Sequence, residues 1–383
     1  MKVLFIQIVQ GLAGSEKYFI EIMPMLKAKG IDCEFLCVHL SEDNDKHKLV
    51  TDPLEKAGIK VHFVESKSRL NLNLLKNINE VIKTGSYDFV NTHLIYGEVW
   101  LALIKIFFNR KVKIVSTRHG YNADFTDKYG FDPKKRVYNP FYILTRFAGL
   151  FSSGSIAVSQ ALKDFYIGQK VCKKDTVDVV HHSFDFGIDV DVQISERAKS
   201  LKKSAHQLVI VGRLIGFKGH RHLFSAISKL VDKHPDLKLF VVGKGDLKNI
   251  LEEQVKSLKL EQHIIFEGFQ KNPIDYMIAS DIVMIPSTSE GFGIVFLEAF
   301  ASQTPVIAFN VSASNEIIID EETGLLVTPY DVDEMAEKID RLLSNSEERK
   351  RLSDNALTRL NTYFKPERMV DETIAFYEKI SKI

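Results

Sequence analysis

From end to end, short apolar runs bounded by loops alternate with longer stretches whose apolar residues recur at helical spacing. Parallel strands joined by crossover helices satisfy that alternation. The strand-like runs fall into two series. The first comprises 3–9, 33–39, 89–92, 113–117 and 154–158, and the second 207–211, 237–242, 263–267, 282–286, 305–309 and 324–327. Residues 183–207 hold few large apolar side chains but carry Asp185, Asp189, Asp191 and Glu196, which reads as a connector. A chain of 383 residues has the length of two ordinary domains. The expectation is an α/β protein with two doubly wound, Rossmann-like parallel sheets. In open sheets of this kind ligands sit outside the carboxyl ends of the strands, so two such domains facing one another would line a cleft.

Composition narrows the class. Apolar residues at 45% and charged residues at 26% exclude disorder or a coiled coil as a description of the whole chain. Cys33, Cys37 and Cys172 can make neither a disulfide framework nor a Cys-x-x-Cys zinc site, and read as reduced thiols of a cytoplasmic protein. Gln7 and Gln10 break the first apolar run too early for a leader, and Glu98 and Lys105 interrupt the best candidate for a spanning helix. The net charge of +1 conceals an asymmetry, since residues 1–185 carry net +6 and the remainder net −5. With no lysine/arginine block of nucleic-acid type, the basic half points to an anionic membrane surface or acidic acceptor and not to DNA or RNA.

Three loops carry chemistry. Gly11-Leu-Ala-Gly14-Ser15-Glu16 follows the first strand and opens a helix, a setting that suits phosphate or a plain tight turn. Gly212-Arg213-Leu214-Ile215-Gly216-Phe217-Lys218-Gly219 places an arginine and a lysine on one glycine-containing loop, able to hold a diphosphate from two sides. After the run 282–286 comes Ser287-Thr-Ser-Glu290-Gly291-Phe292-Gly293-Ile294, with Glu298 eight positions beyond Glu290. That spacing gives one carboxylate in the loop, a helix start near Gly293-Ile294 free to take phosphate, and a second carboxylate within the helix. Carboxylates are good partners for vicinal hydroxyls, hence for sugars.

These residues resemble a known family. The Gly-Arg-Leu…Lys-Gly loop, with Glu290 and Glu298 inside Ser-Glu-Gly-Phe-Gly-x-x-x-Leu-Glu-Ala, resembles the retaining glycosyltransferases of the large family four type, which have the GT-B fold. Ala13-Gly14-Ser15-Glu16 is similar to that family's Gly-Gly-x-Glu, Thr117-Arg-His119-Gly120 to its active-site histidine loop, and Ile156-Ala-Val-Ser159 to its acceptor-domain serine strand. Phe364-x-x-Glu367-Arg368-Met369 through Tyr377-Glu378 resembles its closing helix. The resemblance implies an acceptor domain over 1–184, a nucleotide-sugar domain over 185–362 and a helix, 363–383, crossing back to the first domain. It implies His119, Arg213, Lys218 and Glu290 as catalytic residues, with Glu290 on the sugar hydroxyls and Glu298 on the ribose. The further donor contacts are Gly14, Gly212, Gly243, Phe269, Phe292, Gly293 and Ile294, the base lying near Gly268 to Gln270. His93 and Ser159 are acceptor-side or secondary candidates.

Departures bear mainly on the acceptor. Asn91-Thr92-His93 stands where the family commonly has His-x-His, His182-Ser183-Phe184-Asp185 where it has Asn-Gly-Val-Asp, and Ala313-Ser-Asn-Glu316 where it has Gly-x-x-Glu. Other readings fit less well. A dinucleotide enzyme lacks its fingerprint, since Gly243-Lys-Gly245-Asp246 has no third glycine. Of the Asp-x-Asp candidates for a metal, Asp331 precedes Met335, Ile339 and Leu342 and reads as a helix cap, while Asp189 lies in the connector. The expectation is transfer without metal or cofactor from a nucleotide-diphosphate sugar to a glycan or lipid-linked acceptor, by a cytoplasmic enzyme peripheral to a membrane. A small soluble acceptor, a sugar-nucleotide epimerase and a non-catalytic binding module are the alternatives. Residues 99–108 followed by Arg110, Lys111 and Lys113, and Lys134-Lys135-Arg136 before 141–144, mix bulky apolar groups with cations as a membrane-facing surface does.

Overall fold

The computed structural model describes the chain apart from residues 12–13, 42–44, 122–136 and 187–195. Among the described residues, 1–120, 137–184 and 365–383 form one compact unit and 185–364 another.

The first unit is built on a parallel sheet of seven strands: β1 (Lys2–Ile8), β2 (Asp32–Leu40), β3 (Lys60–Ser66), β4 (Phe89–His93), β5 (Ile114–Arg118), β6 (Gly154–Ala157) and β7 (Val177–Val179). Their order is β3-β2-β1-β4-β5-β6-β7. β1 explains why the central strands read as unbroken apolar runs. Val3, Phe5 and Val9 enter one core with residues of helix α1 (Gly14–Ala28), whereas Leu4, Ile6 and Ile8 enter a second core with Trp100 and Leu101 of helix α2 (Leu94–Phe107). Both faces are covered, so apolar side chains fill both registers of the pleat, and the one buried polar residue of this strand, Gln7, bonds to Glu16. Each such apolar side chain contributes about 1.5–3 kcal/mol on burial.

Three more helices shape this unit: α3 (Pro140–Gly149), α4 (Gln160–Gly168) and, much later in the chain, α7 (Pro366–Ser381). Pro366 sits in the first turn of α7, where a missing N–H costs nothing. Met369, Val370, Phe376, Tyr377 and Ile380 of α7 join the core of α1 and β1, and Asn91 Nδ2 donates to Tyr377 Oη at 2.6 Å.

The second unit has six parallel strands: β8 (Gln207–Val211), β9 (Lys238–Val242), β10 (Ile264–Gly268), β11 (Ile282–Ile285), β12 (Val306–Phe309) and β13 (Leu325–Val327), ordered β10-β9-β8-β11-β12-β13. Helices α5 (Ile294–Ala301) and α6 (Val332–Ser344) follow β11 and β13. Asp331 accepts from Glu334 N at 2.9 Å and caps α6, so this Asp-x-Asp candidate is a helix start. Asp189 and Asp191 lie outside the described residues. The connector is helical over Glu196–Leu201.

Two strands were missed by the apolar-run reading, β3 and β7. Both are edge strands, one with half-exposed alternation and the other three residues long, so neither carries a buried run. In each sheet the strand order reverses at the first strand, between β1 and β4 and between β8 and β11. Those are the switch points at which a doubly wound sheet leaves a crevice at its carboxyl edge.

Candidate active site

In the second unit the carboxyl ends of β8 and β11 position the charged groups. The loop after β8 is pressed onto the end of β11: a Cβ at Gly219, whose φ is +72°, would lie 1.8 Å from the Pro286 carbonyl oxygen. Thr288 N donates to Phe217 O at 2.8 Å and ties the same two segments together. The consequence is that Lys218 Nζ donates to Glu290 Oε1 at 2.6 Å, with both side chains largely buried. Arg213, on the same loop, is exposed, and its side chain has no hydrogen bond or ion pair among the described residues. Gly212 N continues the ladder to Val242 O at 3.0 Å and Gly243 N to Gly268 O at 2.8 Å, so the tips of β8, β9 and β10 are held in register.

Gly293, with φ +90°, caps α5, and a Cβ there would meet the Phe296 ring at 2.7 Å. Glycine therefore lets α5 begin immediately beside Glu290, with the positive helix end at Ile294. Glu298 lies half-buried on α5. Phe269 follows β10, 68% exposed, with Lys244 Nζ 5.4 Å above its ring. An exposed aromatic face of this kind suits a base. The Phe292 ring is buried, edge-on to Phe364 at 6.0 Å. Beside the loop, a cavity of about 360 Å³ is lined by Ile215, Gly216, His220, Thr288 and Tyr330 among others.

In the first unit, β4, β5 and the segment after β7 bring three imidazoles into line. His93 Nδ1 meets His119 Nε2, and His119 Nδ1 lies 3.0 Å from His182 Nε2. The His119 and His182 planes are 10° apart with centroids at 5.1 Å, close to the nitrogen separation plus two ring radii, so the rings meet edge to edge. Tyr18 of α1 sets its ring against His119 and His182 at 5.5 and 5.0 Å.

All three stay neutral. Burial pushes His119 down to about 3, and burial followed by the neighbouring imidazoles holds His93 and His182 well below the usual histidine range. A neutral imidazole has one donor and one acceptor, so the three tautomers are coupled along the line. His93 Nε2, at one end of the line, is buried with no hydrogen-bond partner. Donation therefore runs in a single direction along the line, and either direction places a buried N–H at one of its two ends. Sequence reasoning treated His182 only as a departure; its place in this line was signalled by nothing but its residue type.

The line gives a pH signature. Below the unfolded value near 6.5, the unfolded chain takes up protons that these rings refuse, so stability falls as pH falls toward the depressed folded values, by ~1.4 kcal/mol per pH unit for each refused proton. It is fully present above that unfolded value. His182→Asn should make the decline shallower by up to one proton, measured by urea unfolding between about pH 7 and pH 5. An unchanged slope would mean that His182 is already protonated in the fold.

The flanks of His119 are also fixed. Arg118 Nη1 bonds Glu98 Oε1 of α2, both residues being almost wholly buried, and the Arg118 guanidinium lies 4.8 Å over the Tyr166 ring. Tyr166 Oη in turn donates to Gly120 O at 2.8 Å. Ser159 is wholly buried and its Oγ accepts from Leu162 N at 3.2 Å as the cap of α4. Gly14 is the first residue of α1, where Gln7 Nε2 and Ser15 Oγ both donate to the Glu16 carboxylate. Among the described residues no group of histidines, cysteines and carboxylates has the arrangement of a metal site.

Comparison with known proteins places these features. Residues 12–191 match the family described as Glycosyltransferase Family 4, and residues 192–359 match Glycosyl transferases group 1. An uncharacterized glycosyltransferase of Methanocaldococcus jannaschii is 30% identical over 231 residues, 58% of this chain and 59% of that protein, so the match spans less than two thirds of its length. The N-acetylgalactosamine-N,N'-diacetylbacillosaminyl-diphospho-undecaprenol 4-alpha-N-acetylgalactosaminyltransferase of Campylobacter jejuni is 25% identical over 368 residues, 93% of each chain. Among solved structures, Anabaena HepE in complex with UDP superposes over the whole of both chains with a TM-score of 0.80 at 21% identity. The two Rossmann-like sheets are those of the GT-B fold.

Proposed function

Since this chain belongs to the glycosyltransferases of family 4 and group 1, we propose that it moves a sugar from a nucleoside-diphosphate sugar to a glycan or lipid-linked acceptor, with retention of anomeric configuration and without a metal. The observation that carries this reading is the Lys218–Glu290 pair with the exposed Arg213, gathered at the start of α5 on the switch point of the second sheet. Departure of the nucleoside diphosphate leaves negative charge on phosphate and positive charge on the sugar. Arg213, Lys218 and the N–H groups opening α5 stabilise the phosphate, in the role a metal ion plays elsewhere.

As the phosphate takes up Lys218, Glu290 is released to the sugar hydroxyls. Glu298 holds the ribose hydroxyls, and Phe269 carries the base. His119 is the sugar contact of the first unit. Both its ring nitrogens are engaged by other histidines, so it meets a hydroxyl by exchanging its bond to His182. The UDP bound to HepE and the diphospho-undecaprenol in the Campylobacter enzyme's name support a UDP-sugar donor and a lipid-linked acceptor.

A peripheral membrane location has support from the surface of the first unit. No described helix is long and apolar enough to cross a membrane. Phe107 at the end of α2 and Leu150 after α3 are 71% and 78% exposed, with Arg110 and Lys111 nearby in sequence, whereas Trp100 and Leu101 are core. Lys134, Lys135 and Arg136 lie outside the described residues.

The test has two readings. Incubated with UDP-, GDP- or ADP-sugars and a lipid-linked acceptor, the enzyme should keep its activity in EDTA, and NMR of the product should show the donor's anomeric configuration. Complete loss on chelation, restored by Mg²⁺ or Mn²⁺, would overturn metal independence. Inversion would overturn the retaining mechanism.

A further inference from the structure

A second charged site lies in the first unit, at the amino ends of β5, β6 and β7. Along a five-residue strand that is ~15 Å from the histidines at the carboxyl ends. There a cavity of about 360 Å³ is lined by Lys105, Lys111, Lys113, Lys173, Ser153 and Thr176, and by no Asp or Glu side chain. Lys113, Ser153 and Thr176 each stand one residue before their strand, so the backbone of the sheet fixes their spacing.

The four lysines have no ion pair among the described residues. Lys105 Nζ donates to the Phe151 carbonyl at 3.3 Å, and Lys113 Nζ donates to the Ser381 carbonyl at 3.4 Å and lies 5.8 Å from the centre of the Phe89 ring. The nearby carboxylates do not answer them. Asp178 is taken by Lys379 at 2.7 Å, Asp175 is exposed without an ion pair, and Ile383, which borders the cavity, makes none through its carboxylate. Lys105 is half-buried, and burial followed by Lys113 pulls it below the ordinary lysine value. Like charges gathered in a concave site, none of them held in an ion pair, lower the free energy of any anion that enters.

We propose that this cavity binds a phosphate-class anion carrying two or more negative charges, either a free polyphosphate or the phosphate headgroup of a lipid. The hydroxyls of Ser153 and Thr176 complete the donors around the lysines. Leu150, 78% exposed, stands on the same rim and would meet the acyl region in the lipid case. The site is separate from donor binding and does not depend on the transfer reaction.

Hydrogen–deuterium exchange of the full chain with inorganic pyrophosphate tests it. Segments 104–114 and 171–177 should be protected, and the Lys111→Ser/Lys113→Ser/Lys173→Ser variant, all exposed positions, should weaken that protection by about tenfold or more, as for loss of a charge-assisted contact. Protection of 212–219 by the same probe should persist in the variant and serves as the control for an intact fold. Flotation with phosphatidylglycerol/phosphatidylcholine vesicles separates the sources. Vesicle binding that needs the lysines and is competed by pyrophosphate assigns a lipid headgroup, and pyrophosphate protection without vesicle binding assigns a free polyphosphate. If pyrophosphate protects only the loops of the second unit and the variant floats as the parent does, the proposal is wrong, with the transfer reading untouched.

Discussion

Replacing Arg213 by alanine should lower kcat by roughly 10²–10³-fold, the loss expected when one preorganised partner of a developing charge is removed. Because Arg213 is exposed and its side chain makes no hydrogen bond or ion pair among the described residues, its loss should leave the melting temperature nearly unchanged. Lys218→Ala should cost a similar factor in kcat and, unlike Arg213→Ala, should also destabilise the fold. It leaves Glu290 largely buried without its cation. The double variant should fall well short of the product of the two losses, since both cations serve one leaving group. Steady-state kinetics with thermal unfolding on the same preparations separates these effects. Near-wild-type turnover in either single variant would remove the leaving-group assignment.

The largest stability effect should come from Arg118 and Glu98. Removing one member of a buried ion pair strands the other charge, at a cost of about 3–5 kcal/mol. Arg118→Met or Glu98→Ala should therefore shift the urea midpoint strongly, while Arg118→Met/Glu98→Leu should recover much of the loss because no buried charge remains. The double variant also reaches the chemistry. Arg118 adjoins His119 and lies over Tyr166, whose hydroxyl holds Gly120, so a stable double variant should still have impaired transfer through a displaced His119. Single variants as stable as the parent would show that the pair is hydrated and carries no such load.

The sequence by itself determined the class of the fold and the spacing of Glu290 and Glu298. Apolar runs and helical spacing are local signals, and β1 or β11 reads as a strand because it is covered on both faces wherever it lies in the sheet. Glu290 and Glu298 are likewise eight positions apart on one loop and the helix that follows, so their relation survives without knowledge of the rest of the chain. Only the tertiary structure decided which charges meet. Lys218 reaches Glu290 across 72 positions because Gly219 lets one loop press on the Pro286 carbonyl. His93, His119 and His182 come into line because parallel strands order β4 beside β5 and return the chain past them after β7. The edge strands β3 and β7, the inward ring of Phe292 and the capping role of Ser159 were decided in the same way. A short or half-exposed segment carries too little apolar pattern to declare its place, and a side chain's partner depends on which distant backbone the core brings beside it.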